Sequence, residues 1–345
     1  MKNLNGQYCF THPAGEAIYL FTLTNDKKTS VSITNFGAII TSFNVQQPDG
    51  TFNDIVLGFD RVEDYFSQEY LAGYPYFGSV IGRYANRIKN GLFHIDNREF
   101  VVAKNKSGDH LHGGWEGFDK KVWDYVSGSE QDLTLKYLSP DGEEGYPGNL
   151  QVELRFQLTN DDELIYEFIA ETDKPTAINL THHSYFNLNN GMGTINGHSA
   201  RIYASAILEQ DDNFVVTGTQ IPVAGTKYDF TQFKKTDQDL IPEDGYDQSF
   251  VLDKDPGDMQ LAAELIADRT DIKLEVYTTE PVVHFYTGKW IPPVSGKNGA
   301  AYGPFSGLCF ETHQHPNAIN IPGFPNTILR PGETYRTKTK YRVIH

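Results

Sequence analysis

The 345-residue sequence lacks the features that mark several protein classes. It has only two cysteines, Cys9 and Cys309, which are too few for a disulfide framework. No run of 18 or more apolar residues occurs, and the first ten residues contain no apolar segment of a signal peptide. We therefore expect a cytoplasmic protein that has no contact with a membrane.

Positive charge is also scarce. The chain has 29 Lys and Arg residues against 45 Asp and Glu residues, which gives a formal net charge of −16. Nucleic-acid phosphates require Lys and Arg, so we expect no nucleic-acid partner. Aromatic residues, in contrast, are abundant: 22 Phe and 20 Tyr supply apolar surface for a sizeable core.

Short runs typical of β-strands recur along the chain. In "LQVELRFQLT" at 150–159, five apolar residues alternate with polar ones, which predicts a strand with one solvated face. Turn signals separate such runs, for example "PDG" at 48–50 and at 140–142. Other strand-like runs lie at 29–45, 133–138, 163–172, 272–279 and 281–288.

Helical patterns are rare. Only "DRVEDYFSQ" at 60–68 and "MQLAAELIADR" at 259–269 predict helices. The sequence has no internal repeat and no linker rich in Pro, Gly and Ser. We therefore predict an all-β fold, a large antiparallel β-sandwich with few short helices, formed as a single domain by residues 1–345.

Paired histidines raise the question of a metal site. His110 and His112 with Glu116 form an HxHxxxE pattern, which is like half of a cupin metal motif. The glycine that opens the cupin motif is absent, because position 104 is Lys, and no second half follows downstream. We therefore expect no metal and no cofactor, with a cupin-like metal enzyme as the disfavoured alternative.

Further polar residues lie in apolar surroundings. Asn86 and Arg87 lie in "GSVIGRYANRIKNG" (78–91), Asp247 precedes a strand in "DGYDQSFVL" (244–252), and Glu311 lies in "SGLCFETHQHPNA" (306–318). The adjacent His182 and His183 of "NLTHHSYFNLNN" (179–190) point to opposite faces if they lie on a strand, so only one can serve a given site. Taken singly, each of these residues is typical of a strand rim or a turn.

Taken together and in order, these stretches resemble the galactose mutarotase (aldose 1-epimerase) family. The similarity extends from about residue 78 to 336, and the strand pattern before it also fits. The segments that carry it are "IGRYANRI", "LHGGWEGFDKKVW", "NLTHHSYFNL", "DGYDQSFVL", "FYTGKW", "FETHQHPNA" and "ILRPGETYR". The resemblance implies a mutarotase-like supersandwich fold. It also implies a reaction that interconverts the α and β anomers of free aldoses such as galactose and glucose.

The resemblance also implies roles for individual residues. Glu311 is expected to act as the base at the C1 hydroxyl and His183 as the acid at the ring oxygen O5. The substrate-binding residues are expected to be Arg87, His112, Asp247, Asn86 and Tyr286. His110 and His182 stand where the family usually has other residues, so neither is expected to be catalytic.

Two alternatives to this function remain open. A hexose-6-phosphate 1-epimerase of the same fold would need basic residues at the cavity mouth, for which Arg83 and Lys89 are candidates. A non-catalytic carbohydrate-binding sandwich would not need both an acid and a base. The expected partner is a small monosaccharide, and the expected assembly is a monomer or a homodimer.

Overall fold

β-Strands dominate the computed structural model, which describes residues 6–47, 49–238, 244–255 and 257–345. Pro48 of the first "PDG" turn signal lies outside this described part of the chain. No helix among the described residues is long and apolar enough to cross a membrane. The all-β, antiparallel architecture predicted from the sequence is confirmed.

The N-terminal region forms an antiparallel sheet of five strands in sequential order. This sheet includes the predicted run at 29–45, which folds into two strands separated by a turn rather than one long strand. The five strands are Gln7–Thr11, Ala17–Thr24, Ser30–Thr34, Ile40–Gln46 and Phe52–Asp54.

The largest sheet has nine strands and contains the strand with the clearest alternating pattern. Along Leu150–Leu158 the apolar residues are buried and the polar ones are wholly or partly exposed, as the alternation predicts. In spatial order the nine strands are Asp124–Gly128, Asp132–Ser139, Leu150–Leu158, Glu163–Thr172, Tyr335–Ile344, Lys273–Thr278, Gln260–Ile266, Ser199–Ile202 and Lys234–Lys235.

A second five-stranded sheet holds three of the predicted site residues. Its strands, in spatial order, are Val216–Pro222, Ala204–Gln210, Asp247–Leu252, Val282–Tyr286 and Cys309–His313. Five two-stranded ribbons complete the described strands. They pair Arg87–Ile88 with His110–Leu111, Val80–Ile81 with Thr181–His182, Thr176–Ala177 with Ile328–Leu329, Leu92–Ile95 with Arg98–Val101, and Val294–Ser295 with Ala301–Tyr302.

The two helix predictions have different outcomes. Residues 60–68 contain the 3₁₀ helix Val62–Phe66, and the α-helix Gln68–Gly73 follows it with the Ser67 side chain as its N-cap. The prediction for 259–269 is wrong, because Gln260–Ile266 is a strand of the nine-stranded sheet. The other 3₁₀ helices in the described part of the chain are Lys89–Gly91, Phe118–Lys120, Glu143–Gly145, Lys297–Gly299 and Ala318–Asn320.

The main hydrophobic core lies between the large sheets. One cluster of buried side chains includes Phe43 of the N-terminal sheet, Leu154 of the nine-stranded sheet and Phe310 of the second five-stranded sheet. A second cluster contains aromatic residues such as Tyr185 and Tyr286 and packs around the candidate site. Four of the predicted site residues lie on strands, which hold side chains more rigidly than loops do, and the other three lie directly beside strand ends. The four are Arg87, Asp247, Tyr286 and Glu311, and the three are Asn86, His112 and His183.

Candidate active site

All seven residues predicted from the sequence as site residues line one cavity of about 300 Å³. They are Asn86, Arg87, His112, His183, Asp247, Tyr286 and Glu311. The cavity wall also contains aromatic residues and one histidine that the sequence analysis did not select. These include Tyr76, Tyr185, Phe214, Trp290 and His284. Aromatic walls with a few converging polar groups are typical of small-molecule sites.

The second five-stranded sheet supplies the acidic side of the cavity. Glu311 lies at the centre of Cys309–His313, and Asp247 begins the strand Asp247–Leu252. Strand pairing places Asp247 opposite Tyr286, which ends the intervening strand. Because alternate residues of a strand share a face, Cys309 lies on the same side of the strand as Glu311, where its Sγ contacts the His183 ring.

A short ribbon supplies the basic side. Arg87–Ile88 pairs with His110–Leu111, and Asn86 and His112 lie just beyond the paired residues with φ angles of 61° and 51°. The backbone N–H of His112 donates to the carbonyl of Asn86 at 3.0 Å. The backbone N–H of Asn86 donates in turn to Nδ1 of His112 at 3.3 Å. Nε2 of His112 therefore carries the ring hydrogen and is available to donate to a ligand.

His183 lies between two tyrosine rings, which fixes the plane of its imidazole. Its ring stacks on Tyr185 at 5.0 Å and on Tyr76 at 5.8 Å between centroids. Nδ1 lies 3.4 Å from Sγ of Cys309, and Nε2 lies 3.5 Å from Oε1 of Glu311. The second Glu311 oxygen, Oε2, is buried and has no hydrogen-bond partner among the described residues. Such an unsatisfied oxygen is suited to accept a hydrogen bond from a bound molecule.

Burial shifts both members of this pair toward their uncharged forms. It raises the pKa of Glu311 to about 7, although the nearby His284 opposes this. It lowers the pKa of His183 to about 3. Strongly shifted titratable groups that converge on a cavity are typical of acid/base catalytic sites.

Asp247 has the opposite behaviour and stays ionised. Burial alone would raise its pKa. The hydrogen bond from His284 and the charges of His284 and Arg87 outweigh burial and lower it. Oδ1 of Asp247 accepts from Nε2 of His284 at 2.9 Å. His284 was not predicted as a site residue, because "PVVHFYTG" at 281–288 has the pattern of an ordinary buried strand.

His110 and His182 both point away from the cavity. For His182, the last residue of the strand Thr181–His182, this agrees with the expected opposite orientation of adjacent residues. His110 and His112 would share a face on a regular strand, but they diverge because the chain leaves the strand at His112, which has a φ of 51°. Nε2 of His110 lies 2.6 Å from the Tyr146 hydroxyl, and its Nδ1 lies 2.7 Å from a backbone carbonyl. His182 is fully buried against the rings of Phe156 and Tyr166. Glu116 is exposed, so the residues of the HxHxxxE pattern do not converge as a cupin metal site requires.

A different trio could in principle hold a cation. Ligand atoms of His112, His183 and Glu311 all lie within 4.8 Å of one another. However, Nδ1 of His112 already accepts a hydrogen bond, so the nitrogen that remains carries a hydrogen and offers no lone pair. The trio therefore fits a hydroxyl-rich ligand better than a metal ion, and the expected absence of a metal cofactor stays a prediction.

Comparison with known proteins gives a consistent result. The family model for aldose 1-epimerase matches residues 19–342. The chain is 40% identical to galactose mutarotase of Homo sapiens over 334 residues, 95% of this chain and 94% of that protein. It is 32% identical to aldose 1-epimerase of Escherichia coli K12 over 340 residues, 96% of this chain and 97% of that protein.

Solved structures agree in fold. An aldose epimerase homologue from C. elegans has a TM-score of 0.86 at 26% identity, covering 99% of each chain. A galactose 1-epimerase from Lactobacillus acidophilus has a TM-score of 0.82 at 25% identity, again covering 99% of each chain. The predicted mutarotase-like fold is therefore confirmed.

Proposed function

The chain belongs to the aldose 1-epimerase family, and from that premise we propose that its cavity interconverts the α and β anomers of free aldoses such as galactose and glucose. Family membership agrees with the sequence-based expectation of an isomerase that acts on carbohydrates. The observation that carries the proposal is the buried Glu311–His183 pair, 3.5 Å apart, which faces a cavity lined by polar residues.

In the proposed reaction, Glu311 takes the proton from the C1 hydroxyl and His183 gives a proton to O5. The C1–O5 bond breaks, and the open-chain aldehyde rotates about C1–C2. The ring then closes on the other face of C1, as each proton returns to the group that held it. Each positioned acid or base typically contributes ~10²–10⁴-fold to the rate.

The protonation state of the pair is central to this proposal. Between about pH 3 and pH 7, Glu311 and His183 hold one proton between them, and their pKa values place it on Glu311 before a sugar binds. A bound sugar donates its C1 hydroxyl to Glu311 and accepts at O5 from His183. Both hydrogen bonds favour the ionised carboxylate and the protonated imidazole. Substrate binding would therefore move the proton to His183, where the reaction needs it.

The remaining predicted residues are proposed to hold the sugar. Nε2 of His112 and the guanidinium of Arg87 donate hydrogen bonds to ring hydroxyls of the sugar. The ionised Asp247 accepts hydrogen bonds from ring hydroxyls. Asn86 would act indirectly, since its side-chain oxygen accepts from the backbone N–H of Arg87 at 2.8 Å. Tyr286 offers its ring to the apolar face of the sugar. Holding the sugar in one orientation adds to the acid/base contribution.

We expect kcat/KM to fall as the pH rises above about 7. The shared proton is lost as the pH rises through the pKa of Glu311. The pair then has no proton to donate to O5. Above the midpoint the decline should approach tenfold per pH unit. The check is kcat/KM for α-galactose between pH 5.5 and 9. A rate that rises through pH 7 to a plateau would mean that Glu311 acts with a neutral His183, contrary to the proposed proton sharing.

The sugar-phosphate alternative has weaker support. Arg83 is buried and donates to Ser139 and to backbone carbonyls, and Lys89 pairs with Asp211, so neither presents a free cation to the cavity. The cavity lining contains Arg87 and Lys106, but the acidic residues Asp212, Asp247 and Glu311 lie among them. These two basic residues therefore do not form the cluster of cations that a dianionic phosphate requires.

Polarimetry tests the proposed substrate class directly. We expect fresh α-galactose and α-glucose to reach anomeric equilibrium far faster with the protein than in buffer alone. Glucose 6-phosphate should react much more slowly, because the cavity lining lacks a cluster of basic side chains for its phosphate. A clear preference for glucose 6-phosphate would favour the phosphate alternative. Binding of galactose without any acceleration would favour the non-catalytic one.

Three sequence-based expectations stay predictions. They are the single domain over residues 1–345, the monomeric or homodimeric state, and the cytoplasmic location. The core cluster that joins side chains of all three large sheets supports the single domain. Size measurement in solution and limited proteolysis would test the assembly and the domain organisation.

A further inference from the structure

His284 lies in the cavity wall but has no part in the proposed proton transfers. It is the middle residue of the strand Val282–Tyr286. Its Nε2 lies 2.9 Å from Oδ1 of Asp247, and its Nδ1 lies 2.9 Å from Oγ of Ser249. Both ring nitrogens are therefore engaged within the protein, and neither is left to bind a sugar hydroxyl.

We propose that His284 is a positioning residue: it holds Asp247 by one oxygen so that the other oxygen faces the sugar, and Ser249 holds the His284 ring. The inference rests on the proposed function, because it assigns to His284 a share of the sugar affinity attributed to Asp247. In this role His284 does not touch the reacting atoms.

The strand register explains why this arrangement is rigid. Ser249 pairs directly with His284 across the two strands, and Asp247 lies two residues from Ser249 on the same face. Asp247 is the first residue of its strand, and its side chain is 27% exposed. A carboxylate at such a position would sample several rotamers, and ordering it on sugar binding would lower the affinity. The bond to His284 removes that freedom before the sugar arrives.

The order Ser249–His284–Asp247 has the connectivity of a hydrolase triad, but its geometry excludes that use. In such a triad the serine hydroxyl attacks the substrate, so it must be accessible from the site. Ser249 is 0% exposed and is not among the residues that line the cavity. Of the three hydrogen-bonded residues, Asp247 is the one at the accessible end. The two hydrogen bonds therefore serve to orient its carboxylate.

Electrostatics favour the same arrangement. Burial alone would lower the pKa of His284. The hydrogen bond that His284 donates to Asp247 and the charges of Asp247 and Glu311 outweigh burial and raise the pKa of His284. A protonated His284 donates to Asp247 and Ser249 together. The other charged or titratable groups that act on it are Arg87, His183, His112 and His313.

The test is the kinetics of galactose mutarotation in a set of folded variants. His284→Leu should raise KM by roughly tenfold or more, as expected for losing a hydrogen bond to a charged group, with kcat changed less than about threefold. His284→Gln keeps an N–H donor near Asp247 and should recover most of the affinity. Ser249→Ala should raise KM by a smaller factor than His284→Leu does, although Ser249 is too deeply buried to touch the sugar.

A matched control comes from the same sheet. Thr312 is buried beside Glu311 but points to the opposite face, where its hydroxyl contacts Thr339. Thr312→Val should leave KM unchanged. If His284→Leu fails to fold, His284→Asn replaces it, because the shorter amide does not reach Asp247. An unchanged KM in the Leu or Asn variant would overturn the inference, as would a Gln variant as weak as Leu.

The pH profile and direct binding separate this inference from the proposed function. The His284 charge lowers the pKa of Glu311, so His284→Gln should move the decline of kcat/KM to higher pH. A residue with only a structural role would not move it, and an unmoved profile would contradict the inference. Calorimetric titration with galactose measures the same affinity loss without turnover. If the wild type proves inactive, the proposed function fails, while the calorimetric series still decides the role of His284.

Discussion

Glu311→Gln should lower kcat for α-galactose by ~10²–10⁴-fold while changing KM only a few-fold. Glutamine keeps the size of the side chain and can still accept a hydrogen bond from the C1 hydroxyl. It cannot take the proton, so it removes an interaction that is used only in the transition state. Polarimetric rates and calorimetric galactose binding, measured on the same preparation, separate the two effects.

Folding provides the control for this variant. Glu311 is buried, and its pKa is raised to about 7, so ionising it at pH 8 opposes folding. The Glu311→Gln variant, which is neutral at this position, should therefore melt no lower than the wild type at pH 8. Any residual activity should also lack the decline above pH 7. A folded variant with near-normal turnover would show that Glu311 is not the base.

The second large effect is an asymmetry between adjacent histidines. His183→Asn should lower kcat by about 10²-fold or more, because the shorter amide cannot deliver a proton to O5. His182→Asn should leave kcat within about threefold. It should lower stability by about 1–3 kcal/mol, since buried His182 bonds to Ser184 and to a backbone carbonyl. Mutarotation rates and thermal melts of both variants test this contrast.

This pair of variants separates catalysis from stability. The two positions adjoin in sequence, are both buried and receive the same substitution, so each variant is the control for the other. A His182→Asn enzyme that folds but loses more kcat than His183→Asn would contradict the proposed assignment of the acid.

The strands were largely predictable because their apolar periodicity is a local property. Leu150–Leu158 and Glu163–Thr172 coincide with runs read from the sequence. The misread segment, Gln260–Ile266, has four consecutive buried residues, including two alanines and a glutamate that favour helices. It lies between two other strands in the nine-stranded sheet, and that tertiary setting outweighs its helical propensity.

The ordered motifs predicted the seven candidate site residues, which line one cavity, whereas their mutual geometry was not available from the sequence. His284 illustrates the limit, because its importance depends on pairing with Ser249, which lies 35 residues away in the sequence. Tyr76, which stacks on His183, lies in a turn with no distinctive local pattern. Such contacts depend on the register between strands and on loop conformation, which local periodicity does not encode.

The most direct test of ring opening by Glu311 and His183 is anomer exchange at equilibrium. Magnetisation transfer between the C1 signals of α- and β-[1-¹³C]galactose measures it without perturbing the sample. We expect the wild type to accelerate exchange strongly and Glu311→Gln to abolish most of that acceleration. Methyl galactoside should not exchange, because it has no C1 hydroxyl proton for Glu311 to take. Galactose exchange no faster than in buffer, or equally fast with Glu311→Gln, would contradict the proposed mechanism.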